Sequence, residues 1–426
     1  MSVLLTLRPV FSLLFGAGLL VLGNGLIGIL LPVRLGIEKV SPDISGLVMS
    51  AFYLGFMMGS VLGQGIIRRV GHIRAFAAFA ALATATSLMH ALVFDVALWA
   101  LMRALTGFCM AALYATIESW LNVKTSNDGR GQVLSIYLVT TYLASLIGQL
   151  LINAREIEGL GLFCLGALLM ALSLVPVVLT RVAGPELGGV KRLGLGVLYK
   201  ASPLGVIATW GAGMLSGAFY ALGAIYASSL HLTVWQISLF MGVPIFGGFV
   251  MQWPIGRLSD RYDRRTVLLG VLIMCVVSSV VLSVFSFGGA SLTTLLVAAV
   301  FLGGALATIY PLAVAQAYDY VDRSDMVSAS GGLLLVWAIG GTVGPLIASF
   351  FMGQFGPSAL FVYLAVVASA IVVFTAYRML ARQARPASEQ TAFVSMQTTS
   401  AIANALDPRT DPLPEFYYSD EDPGDH

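Results

Sequence analysis

The chain has 426 residues, of which 58% are apolar and only 10% charged, with a mean hydropathy of +0.90 and a formal net charge of +2. That composition belongs to a polytopic membrane protein. A balance so near neutral gives no reason to expect a nucleic-acid partner. The three cysteines, Cys109, Cys164 and Cys275, fall in apolar stretches without metal spacing or a disulfide framework.

A membrane helix needs about 20 apolar residues. Twelve such spans are predicted, near 9–32, 44–66, 73–93, 97–121, 132–153, 159–180, 203–228, 236–256, 265–286, 291–317, 327–350 and 357–380. The fold class expected is therefore an all-α polytopic membrane protein. The first span is too long for a cleaved signal peptide and has no cleavage site. The longest connector, 182–202, is Gly-rich with Lys191, Arg192 and Lys200. It divides the chain into an N-terminal six-helix half (1–181), a cytoplasmic linker and a C-terminal six-helix half (203–380). A polar tail follows, 381–426, whose last twenty residues hold seven acids and one Arg around Phe416, Tyr417 and Tyr418. Such a tail is expected to be disordered and solubilising, with a partner motif as the sharper reading.

With the N-terminus inside, 19 of the 23 basic residues fall on the cytoplasmic side. Only Arg34, Lys39 and Arg155 fall outside, and Arg103 lies within the bilayer. This bias predicts two cytoplasmic termini.

The halves repeat. Span four has Gly107 and, seven residues on, Tyr114; span ten has Gly303 and, seven residues on, Tyr310. The connector after span two reads Arg68-Arg69-Val70-Gly71-His72, and that after span eight reads Asp260-Arg261-Tyr262-Asp263-Arg264-Arg265. Matching landmarks imply a duplicated unit with a site at the interface of the two copies.

Arg103 and Glu118 are the only full charges between Leu98 and Leu121. An intramembrane charge is costly and marks a functional candidate. Fifteen residues separate them by ~22 Å along a helix and about 60° in rotation, so each needs its own partner. A carboxylate out of water can bind and release a proton, which is the chemistry of a coupling site. The competing role for Glu118 is a cytoplasmic-gate ion pair with Arg68, Arg69 or Arg74, favoured by its place within about one turn of the helix end. For Arg103, a structural arginine bonded to neighbouring carbonyls stands beside a cavity charge.

Asp260 is expected to meet the positive N-terminal end of span five, near Gly129 to Val133, and so to latch the two halves with Arg261, Arg264 and Arg265 beside it. The acids Asp319, Asp322 and Asp325 in the connector after span ten are placed to meet the basic loop of Arg68, Arg69 and Arg74. Polar and aromatic residues in the spans nominate a cavity: Asn24, Tyr137, Gln149 and Asn153, Tyr220, Tyr226, Gln316 and Trp337.

These features together resemble the major facilitator superfamily over about residues 9–380. Gly256-Arg257-Leu258-Ser259-Asp260-Arg261-Tyr262-Asp263-Arg264-Arg265 is similar to the loop motif G-x-L-x-D-R-x-G-R-R, with Asp263 at a Gly position. In the first half Gln64 replaces the Gly and Arg68 the Asp. Arg103-x-x-Thr106-Gly107 resembles the span-four motif R-x-x-Q-G, which implies a central-cavity Arg that holds an anionic group or modulates proton binding. Gly331, Gly340, Gly344 and Pro345 resemble the antiporter glycine-proline motif, in span eleven instead of five. Gly23-Asn24-Gly25-Leu26, Glu118-Ser119-Trp120-Leu121-Asn122 and Gly148-Gln149-Leu150-Leu151 resemble the YcaD-like branch of bacterial inner-membrane permeases.

The resemblance implies two pseudo-symmetric six-helix halves and a secondary transporter working by alternating access in a bacterial inner membrane. No nucleotide-binding loop occurs, so protons are the simplest drive, and a mostly apolar cavity suits a small amphipathic solute. No cofactor or metal is expected, and a monomer is. A transporter-fold sensor or scaffold is the alternative. An enzyme is not favoured, since no span clusters an acid, a base and a nucleophile.

Overall fold

The computed structural model describes residues 10–125, 129–179, 194–288, 291–322, 325–381 and 390–400, with 383, 385, 386, 402 and 409. The acidic end of the tail, and Lys191 and Arg192 of the linker, lie outside the described residues. Twelve helices are long and apolar enough to cross a membrane, and no strand occurs among the described residues. In chain order they are α1 (Phe11–Ile37), α2 (Pro42–Val70), α3 (His72–Leu92), α4 (Val96–Lys124), α5 (Arg130–Ala154, its last turn 3-10), α6 (Gly161–Val178), α7 (Pro203–Ser229), α8 (Val234–Arg261), α9 (Arg264–Gly288), α10 (Leu292–Tyr318), α11 (Met326–Phe355) and α12 (Ala359–Ala381). The protein is thus a multi-pass membrane protein of the expected all-α class.

The helices overrun the expected spans at several ends because polar turns cap them. Asp95 accepts from the Leu98 N–H at 2.8 Å, and Thr233 and Gln236 form a reciprocal capping box. At the far end of α1, Arg34 and Glu38 pair at 2.8 Å across one turn. The expected linker also contains a described helix, Leu195–Ala201, anchored by the buried Leu198.

The repeated glycines act by letting helices touch. A side chain at Gly107 would strike the Phe52 carbonyl of α2, and one at Gly303 would strike Pro244 of α8. The two landmarks therefore make the same contact, α4 on α2 and α10 on α8. Gly213 of α7 and Gly340 of α11 do the same for another pair, each meeting the other helix's backbone. The glycine-proline run of α11 is thus a packing seam against α7.

Helices α1–α6 meet α7–α12 chiefly through α2 on α11 and α5 on α8, with α1 and α2 also touching α7. One end of the bundle carries the α2–α3 and α8–α9 turns and is called here the basic end; the other is the distal end. At the distal end Gly46 of α2 lies directly against Ser349 and Pro345 of α11, and Asn153 donates to Ser238 of α8 at 2.8 Å. Pro311 lies inside α10, immediately after Tyr310.

Candidate functional site

Between the two helix sets lies a cavity of about 310 Å³. Its walls are aromatic and apolar for most of their area. Phe52, Tyr53 and Phe56 come from α2, Tyr310 from α10 and Trp337 from α11. Trp337 meets Tyr53, Phe56 and Tyr310 with ring centroids 5.9, 6.2 and 6.5 Å away, all edge-on. Tight packing of α4 on α2 brings these rings to the middle, because Gly55 and Gly107 remove the side chains that would keep the helices apart.

Few polar groups enter this wall. Arg103 lies on it, 5% exposed, with its guanidinium 4.5 Å over the Phe52 ring. Its Nε and Nη1 are buried and have no hydrogen-bond partner among the described residues. No carboxylate pairs with it there. The neighbouring carbonyls that a structural arginine would use are not engaged by those two nitrogens. Asn24 and Gln149, on α1 and α5, also line the cavity, each with a buried side-chain oxygen that has no partner among the described residues; the Gln149 amide donates to the Gly25 carbonyl at 3.3 Å. A buried donor or acceptor without a partner costs about 1–3 kcal/mol. Three residues lining the cavity therefore carry buried polar atoms with no partner among the described residues.

Of the cavity candidates, Asn24, Gln149, Tyr220 and Trp337 line this space. Tyr137 and Tyr226 do not. Tyr137 donates to Glu118 at 2.8 Å, and Tyr226 donates to the Leu282 carbonyl at 3.3 Å inside a cluster with Phe240 and Phe361. Phe52, Tyr53, Phe56, Tyr142 and Ser145 line it without having been nominated. Three aromatics at 52, 53 and 56 recur at helical spacing, and that was the available signal.

Glu118 is fully buried and accepts from Tyr137 and from Ser400 of the tail. The arginines offered as its gate partners, Arg68, Arg69 and Arg74, are exposed at the basic end and form no ion pair among the described residues. Charged side chains beside water keep their hydration, whereas Glu118 lies behind Tyr137 and the tail.

The second-half loop is built differently. Arg264 is 1% exposed and pairs with Asp319 at 2.5 Å; it also donates to Ser259 at 3.1 Å and to the Ala315 carbonyl at 2.8 Å. Arg265 pairs with Asp263 at 3.0 Å, and Arg261 is exposed. Asp319 is thereby used within its own half and not against Arg68, Arg69 or Arg74, because α9 and α10 pack side by side and present the pair to each other. Asp260 accepts from the Phe393 N–H of the tail at 2.7 Å, where the start of α5 had been expected as its partner.

The tail is thus part of the site. Asp319 accepts from the Thr391 N–H at 2.9 Å and from its hydroxyl at 3.0 Å, while Arg264 donates to the Thr391 carbonyl. Phe393 lies flat against Gly256. Met396, Gln397, Thr398 and Thr399 form one wall of the central cavity, and the Gln252 amide donates to the hydroxyl of Tyr142, which also lines it. An apolar run of Phe393, Val394 and Met396 within a polar tail was the sequence signal, masked by the acids that follow it.

Comparison with known proteins fits this geometry. The family model described as Major Facilitator Superfamily matches the chain twice, over residues 13–204 and 201–412. An uncharacterised MFS-type transporter YcaD of Escherichia fergusonii is 28% identical over 389 residues, covering 91% of this chain and 99% of its own. The YcaD of Shigella flexneri is 27% identical over 360 residues, covering 84% and 92%. Among solved structures, a mutant of the nucleoside transporter NupG superposes with a TM-score of 0.75 at 14% identity, covering 87% of this chain and 99% of that one. A bacterial homologue of the human lysosomal transporter Spinster, inward-facing and occupied, superposes with a TM-score of 0.66 at 15% identity, covering 90% and 98%.

Proposed function

Because the chain belongs to the Major Facilitator Superfamily, we propose that it moves a small amphipathic solute across a bacterial inner membrane by alternating access, driven by protons. The observation that carries this reading is the central cavity, whose aromatic wall holds one guanidinium with unengaged nitrogens. A volume of about 310 Å³ suits a small organic molecule. Rings would take the apolar body of the solute, Arg103 an acceptor or anionic group, and Asn24 and Gln149 its remaining polar edge. The positive-inside bias makes the basic end cytoplasmic. The distal end, closed by Gly46 on Ser349 and by Asn153 on Ser238, is then periplasmic.

In this mechanism the two helix sets rock about the cavity. Glu118 is the proton site. It lies on the cytoplasmic side of the cavity, out of water, held by Tyr137. Protonation would remove the buried charge and loosen the bonds that Tyr137 and Ser400 donate to it, favouring a change in the halves' spacing.

The test is solute flux in proteoliposomes under an imposed pH gradient, with a panel of nucleosides, aromatic acids and amphipathic toxicants. Arg103→Gln is expected to weaken transport of the accepted solute about 10- to 150-fold, the worth of a charged hydrogen bond. Glu118→Gln should keep solute binding but lose the response to the gradient. Wild-type flux that ignores the pH gradient would remove proton coupling. No flux of any panel member would favour a sensor or scaffold.

A further inference from the structure

The C-terminal segment does more than touch the bundle. From Thr391 to Phe393 it is held at the basic end by Asp319, Arg264 and Asp260, all on or beside α8–α10. From Met396 to Thr399 it reaches the central cavity. At Ser400 it donates to Glu118 of α4, and the Ile402 N–H then donates to the Ser400 hydroxyl at 3.1 Å. Arg409 donates to the Ala392 carbonyl at 2.9 Å and lies 4.9 Å over the Tyr318 ring, back at the basic end. The described residues 391–400 thus run from the basic end to the cavity, and Arg409 lies back at the basic end. Met396, Thr399, Ser400 and Ile402 are each buried.

We infer that this stretch of the chain, 390–400 with Ile402, is a built-in plug: it fills the passage between the cavity and the basic end, and it must leave its seat before the cavity opens there. The seat is chemically specific. Carboxylates from both helix sets accept from N–H and O–H donors of the segment, and the buried Arg264 guanidinium donates to one of its carbonyls. Glycine at 256 leaves a bare patch of α8 that the Phe393 ring covers. A tail that only solubilised the protein would keep its amides in water; here the Thr391 N–H donates to the buried Asp319 and the Phe393 N–H to Asp260. Since Glu118 and Asp319 stand on opposite helix sets, the seat exists only at this spacing of the two sets. Moving them apart or together breaks one anchor or the other, so occupation of the seat holds the bundle in one state.

As a plug the segment rests on the transport reading; as a seated segment it is tested without any solute. The three native cysteines are first replaced by alanine, and single cysteines are introduced in the full chain in detergent, where both ends meet water. Met396→Cys is expected to react with a polar maleimide about tenfold or more slowly than Ala392→Cys, which lies on the exposed side of the same segment. Equal rates would overturn the proposal. A second series places the thiol on the cavity wall, Ser145→Cys. Deleting 390–426, or substituting Phe393→Asp in the full chain, should speed its labelling about tenfold or more. Unchanged labelling in a folded deletion or in the Phe393→Asp protein would overturn the proposal as well. Should both variants misfold, the protection of Met396→Cys in the intact chain still decides. A deletion that opens the cavity yet shows no flux would leave the plug standing and count against transport.

Discussion

The two loop regions at the basic end occupy matching places in the two halves and solve the same problem with different chemistry. In the first half His72 opens α3 and sets its Nε2 3.0 Å from the Ser119 hydroxyl near the end of α4, with its ring 5.6 Å from Trp120. In the second half Arg264 opens α9 and binds Ser259, the Ala315 carbonyl and Asp319 at the end of α10. Gly107 aligns with Gly303, so Ser119 and Ala315 are equivalent positions. Both copies tie the start of one helix to the end of the next. The first does so with one imidazole and leaves Arg68 and Arg69 in water; the second does so with a buried ion pair. The charged version can also hold a third party, and Thr391 uses that capacity. The first-half tie has no carboxylate at the matching place, and that half meets the tail through Glu118 instead.

Five variants would break or sharpen this contrast. The largest effect should come from Arg264→Ala. It leaves Asp319 buried without its cation, and losing one partner of a buried pair costs about 3–5 kcal/mol. Thermal unfolding in detergent reads this directly, and a loss below about 1 kcal/mol would mean that the pair is solvated. Replacing both members, Arg264→Met with Asp319→Leu, should recover most of that stability while still freeing the tail, read as faster labelling of Met396→Cys. Next in size is His72→Ala. It removes one neutral hydrogen bond and a ring contact, so about 1–2 kcal/mol is expected in the same assay. A cost as large as that of Arg264→Ala would erase the distinction between the halves. Asp260→Asn should cost about 1 kcal/mol at most, since it keeps an acceptor for the Phe393 N–H, and its effect should appear in tail protection more than in unfolding. Smallest is Arg68→Ala with Arg69→Ala, expected within about 0.5 kcal/mol of the parent.

The fold was legible because it is written in apolar runs of about 20 residues, and the repeat because glycines at 107 and 303 do one steric job twice. The central Arg103 was legible too, since a lone cation in an apolar helix stands out. Partners were harder to read. Glu118 shares its surroundings with Tyr137, nineteen residues on, and with Ser400, 282 residues on. No local pattern reports a contact at that separation, and nearby arginines offered a false local answer. Asp319 was misassigned for a related reason: charge sign suggested Arg68 and Arg69 across the interface, whereas side-by-side packing of α9 and α10 offered Arg264 at 2.5 Å. The tail was the least visible element. Its composition reads as solvated from 381 onward, and only the short run around Phe393 and Met396 departs from that.

Proline 311 has a consequence for what the cavity can recognise. A proline has no N–H, so in α10 the carbonyl four residues back, on Ala307, receives no helical hydrogen bond from position 311. Ala307 is one of the cavity-lining residues, one turn from Tyr310. The proline thus frees a main-chain acceptor on α10 at a residue of the cavity wall, while Arg103 on α4 carries donors. A guest that offers an acceptor at one edge and a donor at the other, with a flat ring between, would satisfy both at once. Its orientation would then be fixed by the backbone of one half and a side chain of the other, a polarity that symmetric repeats alone could not provide.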